Sequence, residues 1–169
     1  MNPKLLGVLL VICSCGIVGT MLAATVKSNI KQLNELITII NTMENDLRFR
    51  LTPLPALCRF AATGGKYLQY IFIAFAEEME NQISPDPTSC MDAALMRQKR
   101  KVIYVENYLK ELARSLGRFD LDGQAKDLTF IRQRCQIDLD KLEKSKDLRI
   151  KNYQTISICL GIIVTILLF

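Results

Sequence analysis

Two uncharged apolar segments stand at the ends of this 169-residue chain. The first, residues 5–26, has 22 residues without a charge, and the second, residues 153–169, has 17. An α-helix rises about 1.5 Å per residue, so roughly 20 apolar residues cross the hydrocarbon core of a bilayer. We therefore predict a transmembrane anchor at 1–26, a helical domain at 27–152 and a second transmembrane helix at 153–169.

Two processing events are alternatives to a retained first anchor. A secretory signal peptide has an apolar core of roughly 7–15 residues followed by a small-residue cleavage site. The run at 5–26 is longer, and the sequence Met-Leu-Ala-Ala at 21–24 is a poor site of that kind. Lipoprotein-type cleavage before Cys15 would need small residues just upstream, and the sequence Ile12-Cys13-Ser14 fits that requirement poorly. The retained anchor is the favoured interpretation.

The distribution of lysine and arginine predicts the orientation of the chain in the membrane. Cytoplasmic segments close to a span carry an excess of these residues. Residues 134–152, before the second span, contain six of them. The domain at 27–152 is therefore predicted to be cytoplasmic, in a cell-membrane protein with two spans. The four basic residues closest to the second span are predicted to contact anionic lipid headgroups: Lys144, Lys146, Arg149 and Lys151. A helix face exposed to water would show the same pattern of basic residues.

Between the spans the apolar residues recur at helical spacing. Steps of three and four residues, which place side chains on one helix face, run through three stretches. No stretch alternates apolar and polar residues as a strand would, so the predicted fold class is all-α, a helical bundle. The three stripes are Ile30, Leu33, Ile37 and Ile40 (with Met43 and Leu47 on an adjoining face); Val102, Val105, Leu109, Leu112 and Leu116; and Leu128, Ile131, Cys135, Leu139 and Leu142.

Turn and cap residues divide the domain into helices. Gly117 is placed to end one helix as the residue after its C-cap, and Asp120 or Asp122 can cap the next. Residues 102–116 and 124–151 are thus predicted to form a helical hairpin whose second arm can continue towards the membrane. Further breaks are predicted at residues 63–65 and 84–88, with Thr88 or Ser89 capping the helix after the second break.

The segment RLTPLPAL at 50–57 is predicted to begin a helix. With Thr52 as the N-cap, Pro53 is N1 and Pro55 is N3, positions at which a missing N–H costs nothing. Its apolar face would hold Leu54, Leu57, Cys58 and Ala61. A proline-rich docking motif needs P-x-x-P in an exposed polyproline conformation, whereas this segment has P-x-P among apolar residues.

Several kinds of chemistry are not expected from this sequence. The chain has no histidine, which is the commonest general base and the usual activator of serine or cysteine nucleophiles. Residues 64–66 lack the other parts of a phosphate-binding loop, and a calcium loop starting at Asp120 would need Gly and Glu where Ala125 and Ile131 stand. We predict no enzymatic activity, no cofactor or metal and no small-molecule substrate.

Two further groups of residues have competing interpretations. The single cysteines Cys58, Cys90 and Cys135 are predicted to be reduced, apolar core residues, because a cytoplasmic domain does not form disulfides. A basic cluster within residues 97–101 is either a helix end exposed to water or a contact with a partner or lipid. Nucleic acid is not expected there, since no aromatic residues surround the cluster and the net charge is only +5. The cluster consists of Arg97, Lys99, Arg100 and Lys101.

Three segments together resemble the stage III sporulation protein AB family of endospore-forming Firmicutes. They are KLLGVLL at 4–10, the QLNEL and MENDLRFRLTPLP segments within 32–55, and LGRFDLDGQ at 116–124. The closing apolar segment also agrees with the family. Residues 66–100 match poorly, since the family usually has a tryptophan there and this chain has none.

The resemblance implies a fold and partners. The family's helical domain is similar to the cytoplasmic domain of the platform protein of type II secretion and type IV pilus machines. The resemblance therefore implies that this protein is a non-enzymatic component of the mother-cell complex that builds a channel to the forespore. Its partners would be a secretion-type ATPase, other subunits of that complex and possible further copies of itself. On family grounds the hairpin tip, with Leu116, Gly117, Asp120 and Gln124, is a candidate contact surface.

Two rival functions remain at this stage. A two-span sensor would place its helical bundle outside the membrane and would need an output domain after the second span, where the sequence ends at Phe169. A membrane-tethered coiled coil would have the same helices without a compact bundle. The side of the membrane on which residues 27–152 lie distinguishes the sensor from the scaffold. Cooperative thermal unfolding of that segment would argue against the coiled coil.

Overall fold

A computed structural model describes residues 3–49, 52–81, 86–97, 102–116 and 121–168. Every regular element within these ranges is a helix, which confirms the all-α prediction. In chain order the helices are α1 (Pro3–Phe49), α2 (Leu54–Ala61), α3 (Gln69–Glu80), α4 (Pro87–Met96), α5 (Glu106–Leu116) and α6 (Leu121–Leu168).

The chain divides into two compact units. A terminal unit comprises Met1–Ile30 and Asp140–Phe169, and a central unit comprises Lys31–Leu139. In the central unit the short helices pack in sequence order, α2 on α3, α3 on α4 and α4 on α5. This arrangement of helices against their chain neighbours is typical of a helical bundle joined by short connections.

The terminal unit contains both apolar segments as parts of α1 and α6. Over the residues whose side chains are described, none of the helices combines the length and the apolar character that crossing a bilayer requires. The two spans stay predictions from the sequence.

The core of the central unit contains apolar side chains from all six helices. The stripes on α5 and α6 are buried as predicted. On α1 the buried face is rotated slightly from the predicted one, because Leu36 is fully buried whereas Ile37 and Leu47 are only half-buried. The largest fully buried side chains of α3 are Phe72 and Phe75.

Two predicted helix boundaries are wrong by a few residues. Helix α5 begins at Glu106 rather than at Val102, because residues 103–105 form a turn closed by the Glu106 N–H donating to the Val102 carbonyl at 3.0 Å. Helix α6 begins at Leu121 rather than at residue 124. It runs unbroken to Leu168, so the second hairpin arm does continue into the apolar segment as one helix.

The RLTPLPAL segment begins a helix, but one residue later than predicted. The N-cap of α2 is Pro53, so Pro55 is N2 and Thr52 lies outside the helix. Thr52 does not cap α2 because its N–H and hydroxyl donate instead to the carboxylate of Asp46, at 3.1 and 3.0 Å. The Pro53 carbonyl accepts the first helical bond, from Leu57 N–H at 2.9 Å. Of the predicted apolar face, Leu57, Cys58 and Ala61 are buried and Leu54 is half-buried.

The start of α4 also differs from the prediction. Its N-cap is Asp86 and its first residue is Pro87, so Thr88 and Ser89 lie in the first turn and do not cap the helix. The fixed φ of proline suits the first helical position. The Ser89 hydroxyl donates back to the Asp86 carboxylate at 3.4 Å.

Candidate functional site

The structure describes two of the four residues predicted at the hairpin tip. Leu116 and Gln124 are both buried, and the Gln124 amide reaches the Leu116 carbonyl at 3.5 Å, at the end of α5. Asp122 lies inside the first turn of α6, so it is not the N-cap. Gly117 and Asp120 fall outside the described residues. The two buried residues therefore connect the end of α5 to the start of α6, and contact of the tip with a partner stays a prediction.

The predicted basic cluster is represented by one described residue. Arg97 forms an ion pair with the buried carboxylate of Glu78 and lies 3.9 Å from Glu77. Its charge is thus already neutralised by α3. Lys99, Arg100 and Lys101 fall outside the described residues.

The basic residues predicted to face the membrane lie on α6. Lys144 and Lys151 are exposed, and Lys146 is half-buried. The backbone of Arg149 is helical, and its side chain falls outside the described part of the chain. The contact of these residues with lipid stays a prediction.

The first polar site that the sequence did not reveal is a clamp formed by Glu35 on α1. Its carboxylate accepts hydrogen bonds from three consecutive backbone N–H groups, those of Lys66, Tyr67 and Leu68, at 2.8–3.2 Å. Leu68 is the N-cap of α3, so the carboxylate also faces the positive end of that helix dipole. The clamp ties α1 to the α2–α3 connection.

Two glycines give the connection the shape that the clamp needs. Gly64 has φ of +85°, a left-handed conformation that other residues rarely adopt. A Cβ on Gly65 would overlap Glu35 Oε1 and would lie 3.1 Å from the Ala62 carbonyl. The sequence predicted the break at 63–65, but the need for Gly65 arises from a residue on another helix.

A second polar site links α1 to α6 through Glu44. Glu44 is only 6% exposed. It accepts hydrogen bonds from the Thr129 hydroxyl at 2.5 Å and from Arg132 Nε at 3.0 Å. The site is a buried, charge-assisted contact between the two long helices within the central unit.

A third polar site lies along α5 and α6. The Tyr108 hydroxyl donates to Asp138 at 2.6 Å, and Arg134 binds Glu111 through both carboxylate oxygens at 2.8 and 2.9 Å. The Arg134 guanidinium also lies 5.7 Å from the Tyr108 ring centre and 5.8 Å from that of Phe130. Burial, followed by the hydrogen bond to the Asp138 carboxylate, raises the pKa of Tyr108, so the phenol stays protonated as a donor.

A groove opens between α5 and α6 beside these contacts. Its volume is about 470 Å³. Its lining includes an aromatic ring and an arginine, two residue types that are enriched in protein interfaces. The lining residues are Glu111, Arg114, Ser115, Asp127, Phe130 and Ile131.

The cysteines of the central unit are core residues, as predicted. Cys58, Cys90 and Cys135 are free and buried. Burial raises the pKa of the Cys58 and Cys135 thiols to about 12, and burial also raises that of Cys90. These thiols are therefore poor nucleophiles at neutral pH.

Comparison with known proteins identifies the family. A model of the stage III sporulation protein AB family matches residues 4–169. The match includes both apolar segments and the whole central unit. Comparisons with curated proteins and with solved structures gave no match. The resemblance read from the segments at 4–10, 32–55 and 116–124 is thereby confirmed, and the chain is a sporulation protein that belongs to the stage III sporulation protein AB family.

Proposed function

We propose that this protein is a non-enzymatic scaffold of a channel complex between mother cell and forespore. Two membrane spans anchor it in the cell membrane, and the central unit lies in the cytoplasm of the mother cell. There it acts as a platform for a secretion-type ATPase and for other subunits of the same complex. The platform-protein fold of type II secretion belongs to this proposal, as does association with further copies of the chain.

The observation that carries the proposal is the family match over residues 4–169, which takes in a helical central unit between two apolar ends. The character of the polar sites supports it. The carboxylates of Glu35, Glu44 and Asp46 each accept hydrogen bonds from the protein itself, so they stabilise the fold and are not presented to a substrate. A chain without histidine also lacks the usual acid–base catalyst.

Binding of the ATPase tests the proposed function. The full-length protein is reconstituted in lipid nanodiscs, and binding of the purified secretion-type ATPase encoded in the same sporulation operon is measured by biolayer interferometry. We expect saturable binding that empty nanodiscs do not show. Absence of binding, with and without ATP, would contradict the platform role.

Cysteine labelling tests the predicted topology, and the structure determines where to place the label. The native thiols of the central unit are unsuitable, because burial leaves them almost unreactive. Met96 at the end of α4 is 86% exposed, so Met96→Cys introduces one reactive thiol. We expect a membrane-impermeant maleimide to label this variant only after the cells are permeabilised. Labelling of intact cells, above the level of the unsubstituted protein, would instead favour the sensor topology.

A further inference from the structure

Three features of the α5–α6 groove are not explained by the stability of the fold. They are an aromatic ring that is largely exposed and, within the part of the chain that the structure describes, a buried hydroxyl without a hydrogen-bond partner and a cation without an ion pair. All three belong to residues that line the same groove: Ser115, Arg114 and Phe130. The polar sites of Glu35, Glu44 and Tyr108, by contrast, are occupied by groups of the protein itself.

The hydroxyl belongs to Ser115 on α5. The residue is 4% exposed, and its Oγ forms no hydrogen bond in the described structure. Native proteins leave few buried polar atoms unpaired, because each one loses its interaction with water without compensation. An occupant of the groove that presents a polar atom would provide the missing partner.

The cation belongs to Arg114, the neighbouring residue on α5. Its side chain is exposed and has no ion-pair partner among the described residues. The two carboxylates of the groove do not compensate it, because Glu111 is bound by Arg134 and Asp127 has an interaction of its own. Neither carboxylate forms an ion pair with Arg114 in the described structure, so the guanidinium can pair with an anionic group on the occupant.

The ring belongs to Phe130 on α6. It is 58% exposed, the Arg134 guanidinium lies 5.8 Å from its centre, and the buried Ile131 lines the groove beside it. A partly exposed aromatic ring beside a cavity of about 470 Å³ can bury a bulky apolar side chain. Aromatic and arginine side chains are also the residues that contribute most strongly to protein interfaces.

We propose that the α5–α6 groove is the docking site for a protein partner that inserts a bulky apolar side chain next to an aspartate or glutamate. The apolar side chain packs on Phe130 and Ile131, the carboxylate pairs with Arg114, and a polar atom of the segment bonds to Ser115. The inference rests on the proposed function, since the partner is the ATPase that the scaffold binds.

The nanodisc assay with purified ATPase tests the groove through three variants of the full-length protein. Phe130→Ala and Arg114→Gln are each expected to weaken binding about tenfold, as interface hot spots do. Raising the salt concentration should weaken the binding of the wild type more than that of Arg114→Gln, because salt screens the charge pair. The matched controls Phe60→Ala, at a ring that is 53% exposed on α2, and Lys66→Gln, at an exposed lysine outside the groove, should bind as the wild type does.

Ser115→Ala distinguishes docking from a role in the fold. Removing a hydroxyl that has no partner should leave the thermal midpoint unchanged or raise it, yet binding should weaken about threefold because the complex loses a hydrogen bond. If the wild type binds the ATPase and the three groove variants bind equally well, the groove inference is wrong and the scaffold function stands. If the wild type does not bind, the proposed function fails and the groove inference fails with it.

Discussion

Replacing Glu35 with alanine is expected to lower the free energy of unfolding by about 3 kcal/mol, since three backbone N–H groups lose their acceptor at about 1 kcal/mol each. The affected groups are those of Lys66, Tyr67 and Leu68. Chemical denaturation of the full-length protein in detergent measures the loss. Hydrogen exchange should show it locally, as faster exchange of those amides. Glu35→Gln, which keeps one acceptor oxygen without the charge, should lose about half as much.

Two further variants make the Glu35 prediction specific. Glu80→Ala is the matched control, since Glu80 forms an exposed pair with Arg59, and such pairs contribute about 1 kcal/mol or less. Gly65→Ala should displace the Glu35 carboxylate, so its cost should be smaller when Glu35 is already alanine. Equal costs of Gly65→Ala in both backgrounds, or unchanged exchange of the three amides in Glu35→Ala, would show that the clamp does not hold the connection.

Replacing Glu44 with alanine is the second change expected to have a large effect. The substitution removes the buried acceptor of the Arg132 guanidinium and leaves the Thr129 hydroxyl only the Ala125 carbonyl, at 2.9 Å. Breaking a buried pair from one side typically costs 3–5 kcal/mol, and we expect about 3 kcal/mol because Arg132 is partly exposed and can reach water. The loss is measured by chemical denaturation of the full-length protein.

The structure offers a close control for Glu44. Arg134 and Glu111 form a second arginine–carboxylate pair with α6, but their side chains are 47% and 38% exposed, so water reaches both. Glu111→Ala should therefore cost about 1 kcal/mol or less. Replacing both buried partners, as Glu44→Leu with Arg132→Met, should recover much of the stability lost in Glu44→Ala, because no buried charge is left unpaired. A double variant that is less stable than Glu44→Ala would contradict this account.

Hydrophobic spacing predicted most of the helical framework. The stripe from Leu109 to Leu116 and the stripe from Leu128 to Leu142 are buried because residues three and four apart share one helix face. The family resemblance was also readable, because it rests on short segments with unusual residues such as T-P-L-P. Capping rules found the start of α2 but placed it one residue early.

The polar sites could not be predicted, because their partners are distant in the sequence. Local capping preferences assign Thr52 to α2, and nothing near Thr52 reveals that Asp46 accepts both of its donors. Glu35 reads as an ordinary polar residue on the exposed side of α1, since its partners are backbone groups more than 30 positions away. The groove had one sequence signal, an aromatic residue at position 130 that lies outside the apolar stripe of α6.

The distance in sequence between Glu44 and its partners bears on the order in which the fold assembles. The contacts of α2 with α3, α3 with α4 and α4 with α5 join chain neighbours, so each closes a short loop. Glu44 is separated from Thr129 by 85 positions, and the entropy lost on closing a loop grows with its length. We therefore expect the short helices to associate while the two long helices are still apart, and Glu44 to pair with α6 after them.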